Sequence, residues 1–249
     1  MPTFPTPHPI AANVQAGAGS IRLIATDRDD TIVEVRPRDE SRAADVRTAQ
    51  QARVDYANGS LTVSPAKSGL LGYRTGAVDI DIQLPSHSRA RVAVASADVR
   101  AEGEFADFGF DSASGRLTIQ SISGTARIAT ASGDAAITDL DGDLRFQAAS
   151  GSLSVDRLRG HAKLQTASGS VSVGAAVSGA VIAHTSSGDV EVAIPDGTAA
   201  QLDIMTGSGT VTNRMQPSDG PEQGDDTVLV QVRSGSGDVD VHRALTATA

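Results

Sequence analysis

Cysteine and tryptophan are missing from this chain of 249 residues, and its aromatics are limited to two Tyr and five Phe. The first absence excludes a disulfide framework and thiolate metal ligation, and it fits a reducing compartment. The second leaves little to fill a broad globular core, whereas Ala, Ser, Thr, Val and 25 Gly suit a narrow interior of small and β-branched side chains. No run of basic residues is present and the formal net charge is -9, which argues against nucleic acid or another polyanion as partner. No apolar run approaches the roughly 18 residues of a membrane-spanning helix. The opening Met1-Pro2-Thr3-Phe4-Pro5-Thr6-Pro7-His8-Pro9 has neither the basic n-region nor the apolar h-region of a signal peptide. The expectation is a cytoplasmic protein that reaches any envelope structure through a partner.

What the chain does have is glycine at a fixed interval. Gly115, Gly124, Gly133, Gly142, Gly151, Gly160 and Gly169 keep a spacing of nine, and after a slip of one residue so do Gly179 and Gly188. A unit this short is one strand and one turn, too small to bury a core alone, so units must stack along an axis. The units alternate in type. One half is headed by Ser-Gly, as in Ser132-Gly133-Asp134-Ala135-Ala136-Ile137, Ser150-Gly151-Ser152-Leu153-Ser154-Val155 and Ser187-Gly188-Asp189-Val190-Glu191-Val192. The other begins at Gly124, Gly142, Gly160 and Gly179, so the full repeat is about 18 residues with two strands and two turns.

Period-2 alternation within each unit predicts which side chains face the core. Leu117, Ile119, Ile128, Ile137, Leu144, Phe146, Leu153, Val155, Leu164, Val171, Val173, Val190 and Val192 point inward, and Arg116, Arg127, Arg145, Lys163, Asp189 and Glu191 point out. Glycine suits the turns because it accepts positive φ, and a neighbouring Ser or Asp can hydrogen-bond the local backbone.

The phrase returns at Gly209 and Gly237 after intervals of 21 and 28 residues, which read as inserted loops. The longer loop, residues 216–226, is rich in Pro, Gly and acid, and residues 227–232 restart the repeat after it. The first hundred residues carry the same grammar less regularly. Asn58-Gly59 marks a two-residue hairpin, and residues 41–51 are a candidate short helix. The expected architecture is all-β, a single-domain parallel β-solenoid of the β-helix or β-roll kind, wound right-handed. It comprises an irregular N-terminal cap over 1–100, regular coils over 101–195, looped C-terminal coils over 196–243 and a tail over 244–249.

The Ser-Gly half-coils between Ser114 and Val192, their return at Ser236-Gly237-Asp238-Val239-Asp240-Val241, and the opening Ala16-Gly17-Ala18-Gly19-Ser20-Ile21-Arg22-Leu23 followed by Thr31-Ile32-Val33-Glu34-Val35-Arg36-Pro37 carry a resemblance. The chain resembles a bacterial β-strand-repeat family of unknown function whose members are described as adhesins, in particular its actinobacterial members. The resemblance implies a β-helix-like solenoid without established catalytic residues, many of whose relatives are exported or membrane-tethered.

The residues offer few chemical alternatives. Ser112-Ala113-Ser114, Thr130-Ala131-Ser132, Thr166-Ala167-Ser168 and Thr185-Ser186-Ser187 fall at the same place in their coils, with Ala148-Ala149-Ser150 interrupting, and outward Thr ladders of this kind bind ice in some solenoids. Alternation from Ile128, however, turns Thr130 and Ser132 inward, where hydroxyls serve turns. Asp134, Asp141, Asp143, Asp189 and Asp238 lie at turns as in calcium β-rolls, but Arg116, Ser152 and His161 interrupt them, and Ca²⁺ needs 6 to 8 oxygens. A single loop site near Asp225-Asp226 stays open.

The outward pairs Asp79 with Asp81 and Asp189 with Glu191 fit a carbohydrate-active solenoid, for which only Tyr56 and Tyr73 supply stacking tyrosines. His8, His87, His161, His184 and His242 have no ligand spacing. Ser64-Pro65-Ala66-Lys67 fits Ser-x-x-Lys without that motif's helix or companions. No catalytic, cofactor-binding or metal-ligating residue is therefore assigned and no cofactor is expected. The expected function is a non-catalytic interaction scaffold for a protein or cell-envelope partner, with a carbohydrate-binding or carbohydrate-active protein as the alternative. Open solenoid ends make a homo-oligomer a further expectation.

Overall fold

Strands that alternate apolar and polar side chains bury only one face, and that pattern recurs through most of the molecule. The computed structural model describes residues 2–65, 76–216, 220 and 224–244. Lys67, Tyr73 and the tail after Ala244 lie outside the described residues, as does most of the loop at 217–223. The backbone divides into two compact units, Met1–Ser123 and Gly124–Ala249. Among the described residues the protein is all-β apart from one short helix.

Unit 1 contains β1 (Thr3–Pro5), β2 (Ala11–Thr26), β3 (Asp30–Pro37), α1 (Ala43–Gln50), β4 (Arg53–Ala57), β5 (Ser60–Ser64), β6 (Ala77–Pro85), β7 (Ser88–Ser114) and β8 (Leu117–Ile122). β2 lies at its centre. It pairs in parallel with β5 from Ala11↔Ser60 and with β6 from Ala18↔Ala77. It also pairs in parallel with β7 from Ala11↔Arg89 to Ile24↔Glu102. β7 then meets β8 one repeat later, Val99↔Leu117. Antiparallel pairing completes unit 1, β3 against β1 and β6, and β4 against β5. Asn58 (φ 50) and Gly59 (φ 74) turn the β4–β5 hairpin as the sequence predicts, both central residues taking the positive φ of a type I′ turn.

α1 falls within the predicted 41–51 and lacks a side-chain cap. It is tied to the start of β6 instead. The Gly76 N–H donates to Thr48 Oγ1 (2.8 Å) and the Ala77 N–H to the buried Asp45 carboxylate (3.1 Å). Phe105, Phe108 and Phe110 are fully buried in this unit, the first two edge to face at 5.5 Å. Each such ring contributes about 1.5–3 kcal/mol of burial.

Unit 2 contains β9 (Thr125–Thr130), β10 (Ala135–Ala148), β11 (Leu153–Thr166), β12 (Val171–Val173), β13 (Ala176–Thr185), β14 (Val190–Ile194), β15 (Thr198–Thr206), β16 (Val211–Asn213), β17 (Asp226–Ser234) and β18 (Val239–Arg243). β10 and β11 pair in parallel from Ala135↔Leu153 to Ala148↔Thr166, an offset of one 18-residue coil. All thirteen side chains assigned inward from the sequence are at most 2% exposed. The two turns of the coil differ in kind. At Ser-Gly the strand stops, whereas at Gly142 and Gly160 the ladder runs through the corner unbroken.

Glycine is required there for two reasons: φ is +123° at Gly160, and a Cβ on it would lie 2.2 Å from the Gly142 carbonyl oxygen of the coil below. The one-residue slip before Gly179 is a bulge, since Leu158 pairs with Ala176 and Arg159 with Ser178, leaving Val177 as the extra residue.

The C-terminal coils do not stack in chain order. β17 pairs with β13 (Val181↔Val230) on one edge and with β15 (Leu202↔Val230) on the other. β18 likewise lies between β14 (Val190↔Val239) and β16 (Val211↔Val239). The interval of 28 residues is thus more than a loop within a linear stack. The chain runs outward to form β15–β16, then returns and inserts β17–β18 beneath them.

Candidate functional site

Three of the five turn acids, Asp134, Asp189 and Asp238, are occupied by the backbone of the neighbouring coil. The N–H of Ser152 donates to Asp134 (3.0 Å), that of Asp238 to Asp189 (2.9 Å) and that of Thr210 to Asp238 (2.7 Å). In unit 1 the N–H groups of Arg116 and Ser20 donate in the same way to Asp98 and Asp79. Each carboxylate satisfies an N–H where the strand bends, so their recurrence follows from coil geometry. Among the described residues no three His, Asp or Glu lie close enough to hold a metal ion, Asp225 and Asp226 included.

Thr130, Thr166 and Thr185 are buried, as alternation predicts. Their hydroxyls accept the N–H of Gly133, Gly169 and Gly188 at 2.8–3.0 Å, and Ser234 and Thr206 do the same for Gly237 and Gly209. This removes the outward Thr ladder that ice binding needs. Ser132, also expected inward, is exposed because the chain leaves the strand after Thr130.

The remaining candidates do not converge. Asp81 is paired with Arg36, and Glu191 is 3.1 Å from His242 Nε2. His242 Nδ1 also hydrogen-bonds the Arg243 carbonyl, which with Glu191 and Asp240 raises its pKa above the ordinary histidine value. His161 is beside Asp143 (3.4 Å) and His87 beside Glu104 (3.3 Å), with Glu104 half-buried and the other three exposed. Ser64 ends β5, and Lys67 lies outside the described residues.

Register assembles charge that the linear sequence separates. In unit 1, Arg22 lies directly opposite Arg100. Like charges so placed repel, but Glu102 bonds both, at 3.0 and 2.7 Å, and the Arg22 guanidinium first, then Arg100, hold its carboxyl below the usual range. In unit 2, Arg127, Arg145 and Lys163 form one exposed column across β9, β10 and β11. None of the three makes an ion pair among the described residues. A scan for basic runs misses this column because its members are 18 residues apart; the repeat period would have revealed it.

The outermost coil, β15–β16, is the other unusual surface. Met205 and Val211 are the two exposed large apolar side chains among the described residues, at 61% and 44%. Asp203 anchors the coil. Arg233 donates to both its carboxylate oxygens, at 2.9 and 2.7 Å, and Gln231 to one at 2.9 Å, so its pKa is lowered. Beside the first half of β15 lies an open cavity of ≈ 690 Å³ lined by Leu202, Met215, Leu229 and Arg243 among others. Among the described residues no helix is long and apolar enough to cross a membrane.

No curated protein matches the sequence. Among solved structures the chain is similar to a candidate adhesin from Bacteroides fragilis, with a TM-score of 0.56 and 12% identity over 96% of this chain and 95% of that one. At that identity the likeness is one of fold. A candidate cell adhesion protein from Clostridium sporogenes matches with a TM-score of 0.25 and 9% identity over 97% and 98% of the two chains. A candidate adhesin from Parabacteroides merdae matches with 0.26 and 10% over 96% and 94%. The Toastrack DUF4097 family matches residues 12–244, from the second residue of β2 to the residue after β18. The chain belongs to the Toastrack DUF4097 family.

Proposed function

We propose that the protein is a non-catalytic binding scaffold: a right-handed parallel solenoid whose constant interior holds a variable outer face for a protein or envelope-associated partner. The observation that carries this reading is the contrast between the two faces of the same strands. Along one register the inward column Ala126, Leu144, Ala162, Val181, Val230 stays apolar, while the adjacent outward column runs Arg127, Arg145, Lys163, Ile182, Gln231. A serial active site would repeat its outward chemistry from coil to coil. Recognition of one particular partner does not need repetition, and an unpaired basic column suits an acidic surface on that partner.

The test is affinity capture from the native cell with the wild type and with a triple Arg127→Ala, Arg145→Ala, Lys163→Ala variant, alongside a glycan array and a reducing-sugar assay. The expected result is a protein or envelope component retained by the wild type and weakened in the folded variant. Sugar turnover that disappears on Asp189→Asn would replace this reading with a carbohydrate-active one.

A further inference from the structure

In every inner coil of unit 2 the inward residues are sealed by a coil on each side; in β15–β16 they are sealed on one side only. The comparison can be made at a single register position. Val239 of β18 is 1% exposed, whereas Val211, paired with it in β16, is 44% exposed. Val230 and Val232 of β17 are fully buried, while Leu202 and Ile204, their partners in β15, are only partly so. Among the described residues, the backbone of 199–206 bonds nothing beyond β17. The surface is thus a strand edge of eight residues, 199–206, bordered by apolar side chains that one further coil would cover.

We propose that this coil is a self-association surface, on which β15 pairs antiparallel with β15 of a second copy of this chain. The occupant must supply a strand edge and apolar groups at matching positions, and a two-fold related copy supplies both by construction. Charge supports self-pairing. Asp203 is the one charged residue of β15, and Arg233 of its own chain already neutralises it. With the two-fold at Leu202, Ala200 faces Ile204 of the copy and Asp203 faces Gln201. With the two-fold at Ile204, Leu202 faces Thr206 and Asp203 faces Met205. Only a centre on Asp203 sets like charges against each other, which excludes that register, while a centre on Leu202 or Ile204 sets an apolar inward residue beside its own copy. This goes beyond the scaffold reading and stands apart from it, because a monomer could still capture an acidic partner through the basic column.

Sedimentation and light scattering of the full chain test it. The expected result is a concentration-dependent dimer, weakened on the order of tenfold or more by Met205→Lys or Val211→Lys, with unchanged circular dichroism. Because the chain has no cysteine, single Leu202→Cys and Ile204→Cys variants also report the register: one of them forms a disulfide-linked dimer on mild oxidation, while Gln147→Cys on the exposed face of β10 does not. A wild type that stays monomeric at high concentration overturns the proposal. So do a dimer indifferent to all these changes and a monomer whose β15 amides already exchange slowly.

Discussion

Arg233 grips Asp203 from thirty residues further along the chain, placing two donors on the two carboxylate oxygens and a third contact, at 3.1 Å, on the Asp203 carbonyl. The pair joins the outer coil to the coil inserted beneath it. Asp203→Asn or Arg233→Met is expected to speed amide exchange in β15 and β16 while leaving β10 and β11 unchanged. The pH sign follows from the lowered Asp203 pKa. The contribution is complete above the ordinary carboxylate range and disappears as pH falls through the depressed value, so acid should loosen wild-type β15 and have less effect on Asp203→Asn. Exchange monitored by mass spectrometry at neutral and acid pH checks both statements.

The two faces of one coil should respond oppositely to substitution. Leu153→Arg and Val171→Asp place an unpaired charge at positions 2% exposed, which costs more than about 4 kcal/mol and unfolds unit 2. Arg145→Ala should change stability by no more than about 0.5 kcal/mol. Thermal unfolding of the three variants is sufficient; equal tolerance would refute the assignment of faces.

Corner glycines and loop glycines are distinguishable. Gly160→Ala meets both a positive φ and a carbonyl oxygen 2.2 Å from the new Cβ, whereas Gly197→Ala meets only a positive φ of 84°, with open space around it. The second should cost about 1–2 kcal/mol, and the first distinctly more because the adjacent coil must move. Urea midpoints of the two variants rank them.

Thr166 provides a test of the turn hydroxyls. Thr166→Val keeps the shape but removes the acceptor of the Gly169 N–H, a buried bond of 3.0 Å, at a cost of about 1–3 kcal/mol. Thr166→Ser keeps the acceptor and should cost less, and the two unfolding midpoints decide the matter.

The strand faces were legible because period 2 is written directly into residues such as Leu153, Val155, Val171 and Val173. Thr130 was legible on the same ground. Ser132 was not, since alternation holds only while the chain remains a strand. The stacking order was hidden for a different reason. Residues 206–211 and 234–239 are equivalent coil phrases, so local pattern cannot say which of them rests on β14. Only the pairing of Val190 with Val239, and of Val239 with Val211, decides it. The column Arg127, Arg145, Lys163 was written in the repeat but invisible to any scan for consecutive charges.

The stacking order of the C-terminal coils also sets an order in time. A ribosome finishes β15 before it has made β17, yet β17 is the strand on which β15 rests. The nascent outer coil therefore waits without its bed while residues 207–234 are still being synthesised. During that interval its backbone is free to engage other chains. Release from the wait comes only once β17 has been made, so this end of the fold is completed out of the order in which its strands are synthesised.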